Sequence, residues 1–390
     1  MNVFISRSKH AMVLALGAMI TGVIGVMIGG CGGGVAGEAD ALVATGDSSS
    51  IITARRDALK ELTATALITA DIRLEIEAAD SVAQIQSIAT KAIDTFLAGQ
   101  EFDGNAAFKM LEKVCAIGSR TSGSDGMRKQ QELLLDTFEK LGAEVDMQLF
   151  SARHPIDGSA VPMANMIIQW HPDRAKRVMI CAHYDTRPYP DNDPDPKKRK
   201  ALFVGANDGA SGVGLLVELG RFMKDLEGNV GVDFVLFDGE ELVFESQRDP
   251  FFLGSEHFAR EVAAGALDQR YEAAVLLDMV ADKELQLYQE INSCRYANDL
   301  VQEVWGVARR LGIRQFFSRR RHEVRDDHLA LNEIARIPAI DIIDFDYPRP
   351  SSGRTTYWHT TKDVPQNCSA VSLARVGTVM LEWLRQRVGN

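Results

Sequence analysis

Three pieces between residues 178 and 241 each bring an apolar run together with acids or an imidazole: VMICAHYDT, then FVGANDGASGVGLLVELGRF after a polar loop, then VDFVLFDGEE. Residues 178–181 and 232–237 are short, β-branched and aromatic, as suits strands buried on both faces. Residues 212–223 carry leucines and valines at helical spacing, so the stretch reads strand, loop, helix, strand. In such units ligands sit beyond the carboxyl ends of the strands, where His183, Asp185, Asp208, Glu240 and Glu241 fall. His183 and Asp185, two apart, leave the same face of an extended backbone, whereas adjacent Glu240 and Glu241 point different ways and can hold different roles. Four carboxylates and an imidazole in one crevice repel unless a cation stands among them. A divalent metal is the economical answer.

The chain has 390 residues, 46% of them hydrophobic, enough for one large core or two modest domains. A net charge of −11, with no basic stripe interleaved with aromatics, argues against a nucleic-acid partner. The five cysteines show no CxxC pair and no zinc-finger spacing, and no disulfide is assigned. Cys181, inside a predicted strand, reads as a small packed hydrophobe.

The amino terminus reads as a targeting segment. Arg7, Lys9 and His10 precede an apolar stretch over residues 11–28 that ends in Gly29, Gly30 and Cys31. A single membrane span is one reading, since the stretch is just long enough. The glycines and the position of Cys31 favour the other, a bacterial lipoprotein signal covering residues 1–31 with Cys31 lipidated. Either way the remainder is tethered outside the cytoplasm, in the cell envelope and on its periplasmic side. Residues 32–50 read as a flexible tether. Residues 51–100 read as one or two alanine-rich helices. Residues 101–390 are left for the catalytic domain.

Within that domain helices are expected over 106–117, 130–141, 297–311, 326–335 and 369–388, and strands over 143–150, 163–170, 273–277 and 337–343. Residues 118–126 read as a loop. The loop over 186–200, dense in Pro, Asp and Lys, reads first as a solvated surface segment; its functional reading is a rim over the site. Arg319–Arg321 reads as a solvated charge run.

Singly these signals are weak, but their order is specific. His183-x-Asp185, Asp208 in GANDGASG, Glu240-Glu241 after an apolar strand, Asp278 after another, and His359 in WHT resemble the M28 family of zinc-dependent peptidases and its glutaminyl-peptide cyclotransferase branch. The resemblance runs from about residue 105 to the carboxyl terminus. It implies a three-layer α/β/α domain with a mixed, mostly parallel central sheet. It makes Asp208, Glu241 and His359 ligands of a principal zinc, with Glu240 as general base and acid beside the metal. In the two-zinc aminopeptidases, His183 and Asp278 complete a second site, Asp208 bridges, and Asp185 orients His183. In the cyclases one zinc is held, and Asp278 and Asp326 join the base in a hydrogen-bonded acid network. The residues present serve both schemes, so one zinc or two remains open.

FVGAND, DPFFLGSEHFA, LLDMV, the doubled acid in RDDH, and Trp358 before His359 lean toward the cyclases. Arg325, where that branch usually has glutamine, and GASG after Asp208 depart from it and bear on the substrate pocket. The implied reaction converts an N-terminal glutamine to pyroglutamate with release of ammonia. The alternative is an aminopeptidase acting on peptide N-termini, in which Glu240 deprotonates an attacking water. A third reading is a silent peptide-binding lipoprotein, against which the intact Asp208, Glu240, Glu241 and His359 set argues. Trp358 is either an apolar wall for the terminal side chain or a core tryptophan.

Overall fold

Alternation of side chains along the strands decides the layering. In a computed structural model, which describes residues 48–266, 270–348 and 356–389, the chain forms eleven α-helices and eight strands among those residues. Helices α1 (Ser48–Ala64), α2 (Ala70–Ala78) and α3 (Val82–Ala98) precede α4 (Gly104–Cys115) and α5 (Asp125–Lys140). Strands β1 (Glu144–Arg153), β2 (Ala160–Trp170) and β3 (Lys176–His183) follow, then α6 (Ala210–Gly220), β4 (Gly231–Phe237), α7 (Leu253–Ala263) and β5 (Arg270–Asp278). The chain continues through β6 (Leu287–Gln289), α8 (Ile291–Tyr296), α9 (Asn298–Arg310), β7 (Phe316–Arg320), α10 (Asp327–Glu333) and β8 (Ala339–Ile343) to α11 (Ala370–Gly389).

The six-stranded sheet has the order β1-β2-β4-β3-β5-β8. β4, β3, β5 and β8 are parallel, while β1 and β2 add an antiparallel edge. Val178, Ile180 and Ala182 of β3 face a core shared with α4, α5, α6, α9 and α11. Met179 and Cys181 face the opposite core, built on Phe258 of α7 and Leu331 of α10. Two helical layers therefore sandwich a mixed, mostly parallel sheet, as expected. Cys115, Cys181, Cys294 and Cys368 are free and buried.

One polar device crosses this apolar sheet. Arg177 of β3 donates through Nε to both Asp233 carboxylate oxygens at 2.9 Å, and Tyr271 of β5 donates its hydroxyl to the same carboxylate at 2.6 Å. The pair is fully buried, so removing one partner strands a charge, a loss on the order of 3–5 kcal/mol.

Several boundaries differ from expectation, each for a local reason. The amino-terminal segment is three helices rather than one or two, because Thr69 and Ser81 cap α2 and α3 by accepting from Ile72 N and Gln84 N. These helices share their own core, and α3 also packs on Val371 and Ala374 of α11. α1 begins at Ser48, so the last three residues assigned to the tether are helical. α5 begins at Asp125 inside the expected loop, since Ser124 accepts from Met127 N. β6, α8 and β7 were not anticipated, being short and without clear periodicity. Arg319 and Arg320 are exposed, as read, but lie in β7. The signal segment, Cys31 and tether residues 32–47 lie outside the described residues. Among the described residues no helix is long and apolar enough to cross a membrane.

Candidate metal centre and active site

The strand ends deliver the acids. His183 closes β3, Asp278 closes β5, and Glu240 and Glu241 follow β4. Asp208 stands in the turn into α6, and His359 in the segment between β8 and α11. The turn after Asp208 needs Gly209: its φ is +91°, and a Cβ there would lie 3.0 Å from the Asp185 carbonyl oxygen and 3.1 Å from His183 Cε1. Met279 and His359 hold positive φ of 46° and 53° without being glycine, local strain at two positions of the site.

Asp208 presents one carboxylate oxygen to each histidine. Its Oδ1 is 3.1 Å from His183 Nε2, which is also 3.3 Å from Asp278 Oδ1. Its Oδ2 is 3.4 Å from His359 Nε2, which is 2.6 Å from Glu241 Oε1. Two triads result, His183–Asp208–Asp278 and Asp208–Glu241–His359, all buried, with the donor atoms of each within 4.8 Å of one another. Neither His183 ring nitrogen nor Asp208 Oδ2 makes a directed hydrogen bond, although all are buried. These donors face shared spaces rather than each other. Imidazole and carboxylate donors arranged so suit zinc, and Asp208, common to both triads, would be available to a metal held by either.

Each histidine is backed on its other nitrogen by a carboxylate, His183 Nδ1 by Asp185 at 3.6 Å and His359 Nδ1 by Asp191 at 3.7 Å. Asp185 also accepts from the backbone N–H groups of Glu240 at 3.2 Å and Glu241 at 2.9 Å, fixing the turn that carries both glutamates. Asp363 does the same for Asn207 at 2.8 Å and Asp208 at 3.2 Å. Arg187 donates its backbone N–H to Glu241 Oε2 at 3.0 Å and its guanidinium to Asp191 at 2.8 and 3.0 Å. Arg187, Asp191 and Asp363 escaped the sequence reading. The first two lie in the 186–200 loop, which therefore backs the site at its start while residues 197–200 are exposed as solvated surface; its proximity in sequence to His183 was the available signal.

Without metal the imidazoles carry the positive charge. Burial pulls His359 down, but Glu241 and Asp208 outweigh it and hold its pKa at about 9. His183 is likewise raised, burial being outweighed by Asp185, Asp208 and Asp278. Burial and then Glu241 push Glu240 well above the ordinary carboxylate range.

A cavity of about 290 Å³ opens over the triads, lined by Asp208, Glu240, Glu241, Asp278 and His359 at its base. Phe251, Phe252, Phe345 and Trp358 make its aromatic walls, with Arg325 and Asp326 also lining it. Trp358 is thus a half-buried wall, its ring 3.9 Å from that of His359 and 5.4 Å from that of Phe345. Asp326 caps α10 by accepting from Asp327 N at 2.6 Å. Asp278, Asp326 and Glu240, the three acids expected in one network, line the same cavity. Ionised, the three repel; burial raises the pKa of each, and a shared proton is what such a network requires.

Residues 165–384, more than half of the chain, match the profile of peptidase family M28. The chain belongs to that family. The same fold occurs in a glutaminyl cyclase of Fimbriiglobus ruber, 43% identical, covering 73% of this chain and 95% of that one with a TM-score of 0.69. It occurs also in a Zn-dependent exopeptidase of Parabacteroides distasonis, 32% identical, covering 73% and 99% with a TM-score of 0.67. Among curated proteins, the uncharacterized protein YfbL of Escherichia coli is 28% identical over 45% of this chain, and the match spans half of that protein's length. This M28 chain is accordingly an enzyme of a group that joins zinc-dependent peptidases and glutaminyl cyclases.

Proposed function

We propose that this enzyme is a zinc-dependent glutaminyl-peptide cyclotransferase that converts an N-terminal glutamine of a peptide to pyroglutamate and releases ammonia. The observation that carries the choice is the 43% identity to a glutaminyl cyclase across 95% of that chain, against 32% for the exopeptidase. The cavity supports it, its aromatic walls standing over a base of polar groups as a site for a terminal side chain requires.

Asp208, Glu241 and His359 would hold the principal zinc. When bound, the metal polarises a carbonyl oxygen held against it. Glu240 takes a proton from the substrate α-amino group as its nitrogen bonds to the side-chain amide carbon. It then delivers that proton to the amide nitrogen, which leaves as ammonia. Trp358 and the phenylalanines exclude water from the glutamine side chain. Asp278 and Asp326 flank the base and hold or share a proton beside it.

The second reading is an aminopeptidase, favoured by one observation, the complete His183–Asp208–Asp278 triad beside the first. There Glu240 would deprotonate an attacking water instead. The retained Glu240 speaks against a silent binding protein in either case. We place the enzyme in a bacterial cell envelope, facing outside the cytoplasm and held to a membrane by a lipid on Cys31.

The deciding experiment gives the zinc-loaded full chain a peptide with N-terminal glutamine and follows the product by mass spectrometry. Loss of the mass of ammonia, reduced ~10²–10⁴-fold in Glu240→Gln, is expected. Loss of the whole terminal residue would establish the aminopeptidase and end the preferred reading.

A further inference from the structure

We propose that Arg325 at the cavity lip selects peptides with a carboxylate on the residue that follows the N-terminal one, an inference resting on the reading above that a peptide N-terminus occupies the cavity. Glu323, Val324, Arg325 and Asp326 run along the cavity wall as an extended strap. Val324 and Asp326 are buried while Glu323 and Arg325 are exposed, the alternation of an extended backbone. The strap is fixed from behind: Val324 N donates to Glu290 Oε1 at 3.0 Å, and Val324 O accepts from Asn292 Nδ2 at 2.9 Å. Arg325 therefore stands at the lip on a backbone that cannot easily move.

Its charge is uncompensated. Glu323 is paired with Arg295 at 2.9 Å, and His359, the other basic residue lining the cavity, faces Glu241 and Asp208. Arg325 makes no hydrogen bond or ion pair with any described residue, and the neighbouring walls are Phe251, Phe252, Phe345 and Trp358, which carry no charge. The cavity is thus acidic at its base and cationic at its lip. A peptide presents the matching order, an ammonium first and then, roughly 3.3–3.6 Å further along the chain, its second residue. A guanidinium fork meets a carboxylate there with two parallel hydrogen bonds. The C-terminal carboxylate of a dipeptide offers the same chemistry from another source, so the test uses amidated peptides to separate the two.

The zinc-loaded full chain is given Gln-Glu-Ala-amide, Gln-Gln-Ala-amide, Gln-Lys-Ala-amide, Gln-Ala and Gln-Ala-amide. Two quantities are read: kcat/KM for each, and Kd by calorimetry on Glu240→Gln, where chemistry is removed. We expect Gln-Glu-Ala-amide to exceed Gln-Gln-Ala-amide by roughly threefold to tenfold in both, with less difference at high salt. Arg325→Gln abolishes the preference, and Arg325→Glu turns it toward Gln-Lys-Ala-amide. Equal handling of all the amides, or a preference that survives Arg325→Gln, overturns the inference and leaves the cyclisation reading intact. A gain confined to Gln-Ala over Gln-Ala-amide assigns Arg325 to a terminal carboxylate and overturns it as well. Selective, Arg325-dependent binding without turnover removes the proposed reaction but upholds the selectivity; absence of both binding and turnover removes both.

Discussion

Asp208 shows how one side chain organises a site: its two oxygens face two different histidines, so a shift of this carboxylate disturbs both triads together. Its position depends on Gly209, where a Cβ would press on Asp185 and His183. Gly209→Ala should therefore lose ~1–3 kcal/mol of stability and at least tenfold in kcat/KM, measured by denaturant unfolding and turnover; an unchanged rate would show the turn to be unimportant. The histidines give a pH test. The folded pKa of His359 is about 9 against an ordinary 6.5, so metal-free protein holds that contribution below 6.5 and loses it as pH rises through 9. His183 acts in the same direction. Metal-free protein should melt at progressively lower temperature from pH 6.5 to pH 9, while zinc, which displaces those protons, removes the slope. Parallel melting curves with and without zinc would contradict this.

The elements are held in place by side chains that leave little trace in local pattern. Glu290 caps α8 by accepting from Asn292 N at 2.8 Å, accepts from Val324 N at 3.0 Å, and lies 3.5 Å from His328 of α10. One carboxylate so joins two helices and the strap that carries Arg325 and Asp326. Burial pushes Glu290 up, but His328 and the backbone amides outweigh it and bring its pKa to about 2. Its contribution is present above the ordinary 4.5 and is lost as pH falls toward 2. Glu290→Gln should lower stability at neutral pH by ~1–3 kcal/mol and flatten the acid limb of the unfolding curve. An unaltered denaturation midpoint at neutral pH would refute that role.

At the scale of the molecule, the parallel strands gather the acids at their carboxyl ends while the cores on both faces stay apolar. The desolvation this imposes is what makes a cation, whether proton or metal, necessary there. The helices α1–α3 form a further small core and join the main body through α3 and α11. Attachment of the whole to a membrane through Cys31 is tested by Cys31→Ser, which should move the chain from the membrane fraction to the soluble one; retention in the membrane would favour the spanning reading of residues 11–28 instead.

The buried strands and their order of acids were legible from residues alone, while the ligand set was implied by the resemblance to the M28 family. Runs such as those ending at His183, Glu241 and Asp278 declare both burial and chemistry within a few positions. The three amino-terminal helices were legible only in part, since Thr69 and Ser81 mark caps that an alanine-rich pattern obscures. What tertiary structure decided was pairing at a distance. Asp191 behind His359, Arg187 on Glu241, Asp363 beneath Asp208 and Glu290 beneath the strap join segments far apart in the chain. An isolated Arg or Asp in a polar loop has no periodicity to betray it. Local sequence therefore determined which groups arrive at the strand ends, and only the folded chain determined which buried charges meet, because their interaction depends on distance and desolvation.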